Sequence, residues 1–215
     1  MGLEVVGITV GGMIYTGWKS MSVTANARSP ERSFQFVGTA GHNAILFAAV
    51  ASQLRPGQPC TVTSNGSLMV TGYINTVKIK IGPNDHEIHV TGKSKGQDCV
   101  KSSFTHPSYE WAKKGTSEVA KEIDQWGIGF DTDEPERKWD KVRSNVGETG
   151  HQLISRLAHD EGKWLCGQPD GKVMITKHGK RSHAGGIVEG INLIEADVEF
   201  SDEERMNKVK VKGQR

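Results

Sequence analysis

The stretch CTVTSNGSLMVTGYINTVKIKIGPNDHEIHVTGKS, Cys60 to Ser94, leaves few folds open to this chain. Apolar and polar residues alternate along it with the two-residue period of a half-buried strand. Asn65-Gly66 supplies a two-residue type I′ turn, whose positive φ angles suit the right-handed twist of a hairpin. In GYINTVKIKI, Ile74, Val77, Ile79 and Ile81 alternate with polar residues, with one break of register near Asn75-Thr76. GPND then turns the chain and HEIHVTG returns it.

The residues before it carry the same signature. VVGITVGGMIYTGWKSMSVT holds two extended runs around Gly11-Gly12, a hairpin signal. ERSFQFVG places Phe34 and Phe36 on one face, opposite Ser33 and Gln35. Between these strands, Asn43 is a helix cap, Ala44 to Leu54 has helix-forming composition, and Pro56-Gly57 ends the run. Six or so short strands at this spacing predict a small barrel or sandwich.

After Gly92 the character changes. THPSYEWAKKG reads as a linker, and DTDEPERKWDKV, with its proline and lack of period, as an exposed crossing. TSEVAKEIDQWGIGF reads as a helix capped by Thr116, with Val119, Ala120 and Ile123 on one face and Gly127 at its end. From Thr149, Leu153, Ile154, Leu157 and Ala158 define the apolar face of a second helix. Glu148 suits its positive end and Gly162 its exit. KWLC and KVMIT then flank a Pro-Asp-Gly turn as a hairpin. The tail holds two further strand-like runs, INLIEADVEF and RMNKVKVKGQ, with SDEE between them; two strands bury no core alone, so this predicts a sheet left incomplete or finished by another chain.

Polar residues invite a search for chemistry. His151 and His159 are eight apart, about 80° around a helix, whereas a zinc pair needs i, i+4 spacing. His159, Asp160 and Glu161 occupy a fraying last turn; His86 and His89 fall on opposite faces of a strand. His178 and His183 sit in a loop, KHGKRSH, read as solvated. Cys60, Cys99 and Cys166 form no CxxC pair and read as small buried core residues of a reducing compartment. No P-loop, GxSxG or GxGxxG-helix pattern occurs. The expectation is therefore no catalytic, cofactor-binding or metal residue, and no cofactor. With 27 basic against 25 acidic residues, net +2, no specific nucleic-acid binding is expected; Trp18, Tyr15 and Lys19 are the best candidates for it and read better as core or interface. No apolar run approaches a membrane span and no signal peptide opens the chain.

The order of these features resembles the baseplate hub proteins of Mu-like contractile-tailed phages, relatives of type VI secretion spike proteins. The resemblance rests on YTGWKSMSVT, LRPGQPCTV, TGYINTV, HEIHVTGKSKGQDCVKSS, VAKEIDQWGI, GETGHQLISRLAHDEGKWLCGQPDGKVMIT and INLIEADVEFSDEERMNKVKVKGQ, spread over nearly the whole chain. It implies a mixed β and α+β fold: an N-terminal β-barrel-like domain (1–103), an α/β intermediate domain (104–184), and the start of a second β-barrel-like domain (185–215). Val90 to Ser103 matches the exit from the first barrel, where Gly92 permits close backbone approach or a bend. Glu148 and Thr149 match the helix start of the intermediate domain. AILFAAVASQ is longer and more apolar than the family pattern, and family members are longer than 215 residues.

The function so implied is structural. A homo-trimer with two similar barrels per subunit adapts a sixfold tail tube to a threefold central spike and nucleates tube assembly. Its partners are the tube protein, the spike protein and other baseplate proteins. Its place is the virion tail baseplate, after assembly in the host cytoplasm, with no membrane insertion. The alternative is a tail-associated cell-wall-degrading enzyme or spike-linked hydrolase resting on Asp160, Glu161 and the carboxylates of DTDEPE; zymography on peptidoglycan separates the two.

Overall fold

The computed structural model describes residues 5–39, 53–82 and 86–177. The alternating segments form seven strands: β1 (Val6–Val10), β2 (Met13–Tyr15), β3 (Ser20–Ala25), β4 (Arg32–Thr39), β5 (Pro59–Ser64), β6 (Ser67–Ile81) and β7 (His86–Ser94). They make one antiparallel sheet in the order β2-β1-β5-β6-β7-β4-β3. Gly11 and Gly12 take φ of 57° and 83° in the β1–β2 hairpin, and Asn65 and Gly66 take 46° and 79° in the β5–β6 hairpin. The break read at Asn75-Thr76 is a β-bulge: pairing with β7 shifts register between Ile74 and Thr76.

The second extended run is divided. Residues 16–19 leave β2 at one edge of the sheet and enter β3 at the other. Laid flat, six inter-strand steps would set these edges about 29 Å apart. Five residue steps from Tyr15 to Ser20 reach at most about 18 Å. The strands are also offset: through the pairings Tyr15 lies level with Val70 and Ser20 with Lys78, eight positions further along β6. Only a curled sheet with tilted strands satisfies both conditions, so the sheet is a strongly sheared half-barrel, open between β2 and β3. Trp18 closes the link: its ring packs on Phe36 with centroids 5.0 Å apart, and its Nε1 donates to the Tyr15 carbonyl at 3.0 Å. Inside lie Ile8, Val10, Phe34, Phe36, Leu54, Cys60, Val62, Val70, Ile74, Ile88 and Val90.

Gly92 serves close approach. A Cβ at this position would overlap Phe34 Cζ and the Tyr73 carbonyl oxygen. Ile79 and Ile81, expected on the buried face by period, are exposed, because β5 ends at Pro59 opposite Tyr73 while β6 continues to Ile81. The expected helix over Ala44–Leu54 lies mostly outside the described residues; Leu54 is described and buried. Most of GPND, the loop to His183 and the C-terminal strands also lie outside them.

The second core is built from α1 (Gln97–Lys101), β8 (Glu110–Trp111), α2 (Thr116–Ile123), β9 (Phe130–Thr132), β10 (Val142–Arg143), α3 (Gly150–Asp160), β11 (Trp164–Gly167) and β12 (Val173–Thr176). β11 and β12 form the Pro-Asp-Gly hairpin, with Gly171 at φ 88°, and β9 adds to it in parallel beside β12. Helix α3 starts with a capping box: Thr149 Oγ1 accepts from the Gln152 amide at 3.2 Å, and Gln152 Oε1 accepts from the Thr149 amide at 2.9 Å. Val119, Ala120 and Ile123 of α2 meet Leu153, Ile154, Leu157 and Ala158 of α3 in this core.

Two segments depart from the sequence reading. The stretch read as a linker carries β8, which pairs with β10, and buries Trp111 in the second core next to Phe104, the residue just before that stretch. The stretch read as an exposed crossing is strand only at its two ends, where Asp131 and Thr132 belong to β9 and Val142 to β10. Their apolar positions are too few to show a period, and both strands are short. Helix α2 is capped by Gly115 rather than Thr116; Glu118 Oε2 accepts from the Gly115 amide at 2.7 Å.

The two cores meet over a short connector. Arg32 Nε donates to the Gly167 carbonyl at 2.8 Å, and its Nη1 donates to the Met69 carbonyl at 3.0 Å. Gly96 and Gly167 both press their Cα against the Pro30 carbonyl, leaving no room for a Cβ at either. Gly167 N–H donates to the Ser29 carbonyl at 2.9 Å, and the Arg28 guanidinium lies 4.6 Å from the Trp164 ring centre.

Candidate functional site

Most of the polar residues singled out in the sequence are held by local structure, and His178 and His183 lie outside the described residues. His159 packs edge-on against Trp164 with ring centres 4.3 Å apart. His151 faces Ser155 at 3.5 Å, and burial pushes its pKa below the usual histidine value. His89 and Lys19 both reach Glu87, at 3.3 Å and 3.1 Å, and these contacts, Lys19 first, hold Glu87 below the usual carboxylate range. Tyr15 donates its hydroxyl to Gln53 Oε1 at 2.7 Å, so Tyr15, Trp18 and Lys19 all serve the β2–β3 link and its surroundings. Cys60 and Cys99 are buried thiols with pKa pushed up to about 12 by burial, and Cys166 is half-buried. Among the described residues no three of His, Cys, Asp or Glu gather as metal ligands.

One constellation escaped sequence reasoning. Glu161 is not in a frayed turn: its side chain is 6% exposed and its Oε2 meets Lys163 Nζ at 2.7 Å, with Lys163 1% exposed. Thr116 Oγ1 donates to Glu161 Oε1 at 2.5 Å, the Arg137 amide donates to Oε2 at 3.3 Å, and Lys163 Nζ also donates to the Pro135 carbonyl at 2.8 Å. Trp139 Nε1 donates to Thr116 Oγ1 at 3.1 Å. Burial alone would raise the Glu161 pKa, but the bonds from Lys163, Thr116 and Arg137 outweigh it and hold the carboxyl below its usual range. Every polar atom here is spent on pinning residues 135–139 to α2 and α3. Nothing in the spacing of Thr116, Glu161 and Lys163 signals their meeting.

A hollow of 650 Å³ opens beside the bulge and is lined in part by Tyr73, Asn75, Gln97, Asp98 and Lys101. Asn75 and Gln97 close on each other there by reciprocal amide bonds of 2.7 and 3.2 Å, and burial raises the Asp98 carboxyl above its usual value.

The surface offers a different kind of site. Exposed large apolar side chains concentrate on strand edges: Met13 and Ile14 on β2, Met21 on β3, Ile79 and Ile81 on the far half of β6. Among the described residues the β6 edge beyond Tyr73 has no strand beside it, and β3 is bonded on one side only. β3, SMSVTA, contains no charge, proline or bulge, the features that usually keep an edge from pairing. Chemically, such edges present rows of free N–H and C=O groups flanked by apolar side chains, which suits strand addition and protein docking.

The fold is shared with the 43 kDa tail protein of prophage MuSo2 from Shewanella oneidensis, at TM-score 0.82 and 25% identity over 89% of this chain and 59% of that one. A tail protein from Neisseria meningitidis MC58 superposes at TM-score 0.68 and 21% identity, over 80% of this chain and 50% of that one. The class defined by this half-barrel and its α/β companion is thus that of phage tail proteins. In sequence, residues 5–94 match the family described as Mu phage baseplate assembly protein GpP-like, N-terminal, and residues 96–177 match the second domain of the baseplate hub protein gp44-like family. Baseplate hub protein gp44 of Escherichia phage Mu is 22% identical over 207 residues, covering 94% of this chain and 53% of that protein. The chain belongs to the baseplate hub protein family of Mu-like phages. It spans about half the length of the curated relative it matches.

Proposed function

We propose that this chain is a structural hub subunit of a contractile phage tail, acting as a trimer that adapts a sixfold tube to a threefold spike and nucleates tube growth. The observation that carries the proposal is the concentration of apolar side chains on unprotected strand edges, on a fold shared with phage tail proteins. Edges of this kind are costly to leave bare, and a permanent assembly covers them. Tube, spike and other baseplate proteins are the partners, and the virion tail, after assembly in the host cytoplasm, is the location. Catalysis forms no part of this role. Among the described residues no helix is long and apolar enough to cross a membrane.

The organisation proposed is a barrel-like first domain, an intermediate domain to about residue 184 and a second barrel-like domain from about residue 185. Cys99 packs in the second core, which supports drawing the first junction near Lys95 rather than at residue 103. Light scattering across a concentration series tests the oligomer directly. A mass of three chains supports the ring; a monomer at every concentration, with or without the C-terminal extension found in longer relatives, refutes it.

A further inference from the structure

We infer that the outer face of the half-barrel carries a binding groove for a glycan built of N-acetylhexosamine units. This goes beyond the hub role proposed above and does not depend on it. The groove forms where two hollows adjoin through one residue, Asn75, which lines both.

The β-bulge builds this junction. Two neighbouring rows of the sheet face outward there, Tyr73, Lys93 and Ser33 in one and Thr76, Thr91 and Gln35 in the next. Asn75 is the extra residue between the rows, with no partner on β7, and a bulge of this kind re-aims its side chain. It meets Gln97 of α1 in reciprocal amide bonds of 2.7 and 3.2 Å. Each amide thereby spends one N–H and one carbonyl lone pair and keeps one of each, in an orientation its partner fixes. An acetamido group, with one N–H and one C=O, complements such a pair.

The rest of the lining has the same character. Tyr73 brings a flat, half-buried ring to the larger hollow, which suits the C–H face of a sugar. Ser22, Thr24, Gln35 and Thr91 bring hydroxyl and amide groups to the smaller one, and their side chains make no hydrogen bond to other described residues. The charges present are balanced locally: Lys93 Nζ lies 2.6 Å from Glu31 Oε1, and Lys101 stands one turn from Asp98 on α1. A nucleic acid would need unspent positive charge, and an apolar cofactor a lining of apolar side chains. A neutral polyhydroxylated ligand needs neither. The larger hollow, at 650 Å³, falls in the range of about 300–1,000 Å³ typical of ligand sites, and the smaller adds 230 Å³ beside it, which suits a chain of sugars. Among the described residues Asp98 is the one carboxylate lining either hollow, whereas glycoside cleavage takes a pair, so the groove holds a glycan without cutting it.

The test is calorimetric titration of the full chain with tetra-N-acetylchitotetraose and with maltotetraose, which offers hydroxyls but no acetamido groups. The expected result is saturable binding of the first and about tenfold weaker binding of the second, the worth of roughly one hydrogen bond. Tyr73→Leu, which keeps apolar bulk, and Q35A/T91A, on the outer face of the sheet, should each weaken the acetylated sugar by a similar factor with an unchanged circular dichroism spectrum. Failure of the acetylated sugar to bind overturns the inference, and so does equal affinity for both sugars. Binding that survives Q35A/T91A and Tyr73→Leu overturns it as well, because the sugar then sits elsewhere. Light scattering on the same samples separates the two readings: a trimer that ignores the sugar refutes the groove alone, and a monomer that binds it refutes the ring alone.

Discussion

Replacing Lys163 by alanine probes the buried network that holds residues 135–139. Its ammonium is the sole cation bonded to the Glu161 carboxylate among the described residues, and both side chains are almost wholly enclosed. In Lys163→Ala, Glu161 keeps the Thr116 hydroxyl and the Arg137 amide but loses its countercharge, and the Pro135 carbonyl loses its donor. Removing one partner of a buried ion pair costs about 3–5 kcal/mol. With a urea slope of about 2 kcal/mol per molar, the unfolding midpoint should fall by roughly 1.5–2.5 M. Tryptophan fluorescence reads the transition, since Trp139 donates into the network. The double variant K163M/E161Q removes both charges, and its cost should be at least about 1 kcal/mol below the sum of the single costs, as expected for coupled partners. The pH dependence has a definite sign. The Glu161 pKa is depressed in the folded chain, so its contribution is complete above the unfolded carboxylate value of about 4.3 and is lost as pH falls through the lower folded value. A midpoint shift under about 0.5 M for Lys163→Ala, or equal acid sensitivity of wild type and Glu161→Gln, would refute this account.

Three further outcomes are expected. Gly92→Ala forces a methyl group onto Phe34 Cζ and the Tyr73 carbonyl, and should destabilise the half-barrel by about 2–4 kcal/mol in thermal unfolding. Thr149→Ala removes the cap of α3 and should cost about 1 kcal/mol in denaturant, with Thr149→Ser close to neutral. In the native chain at pH 7.5, a maleimide should modify half-buried Cys166 well before Cys60 or Cys99, whose thiols are buried with pKa near 12; mass spectrometry after timed quenching reads the order, and equal rates would count against the buried positions.

What the sequence made legible was local. Gly11-Gly12 and Asn65-Gly66 announced their turns through backbone freedom, and the broken alternation at Asn75-Thr76 announced a bulge. Glu148 and Thr149 announced a helix start, and the apolar face from Leu153 to Ala158 announced the helix, but the Thr149–Gln152 capping box emerged only in the structure. What failed was long-range. β9 is three residues and β10 two, so neither shows a period, and each exists because a distant strand supplies its hydrogen bonds. Trp111 looked like linker because its burial depends on Phe104 and Val142 arriving from elsewhere. The Thr116–Glu161–Lys163 network joins residues 45 apart in the chain, with nothing in either segment to indicate the other. The exposed edges share this character: alternation marks Ile79 and Ile81 as apolar positions of a strand but does not tell where the neighbouring strand stops.

The carbonyl of Pro30 has a consequence for how the subunit bears force. It is trapped between Gly96, on the way out of the half-barrel, and Gly167, at the end of β11, while Arg32 bonds backbone oxygens on both β6 and β11. A pivot needs either a loose tether or a sliding surface of side chains, and backbone seated directly on backbone offers neither. A push on one core therefore reaches the other through stiff peptide units rather than through bending of the connector, so the two cores recoil as a single strut. Gly167→Ala, by wedging that seat apart, would turn the strut into a joint.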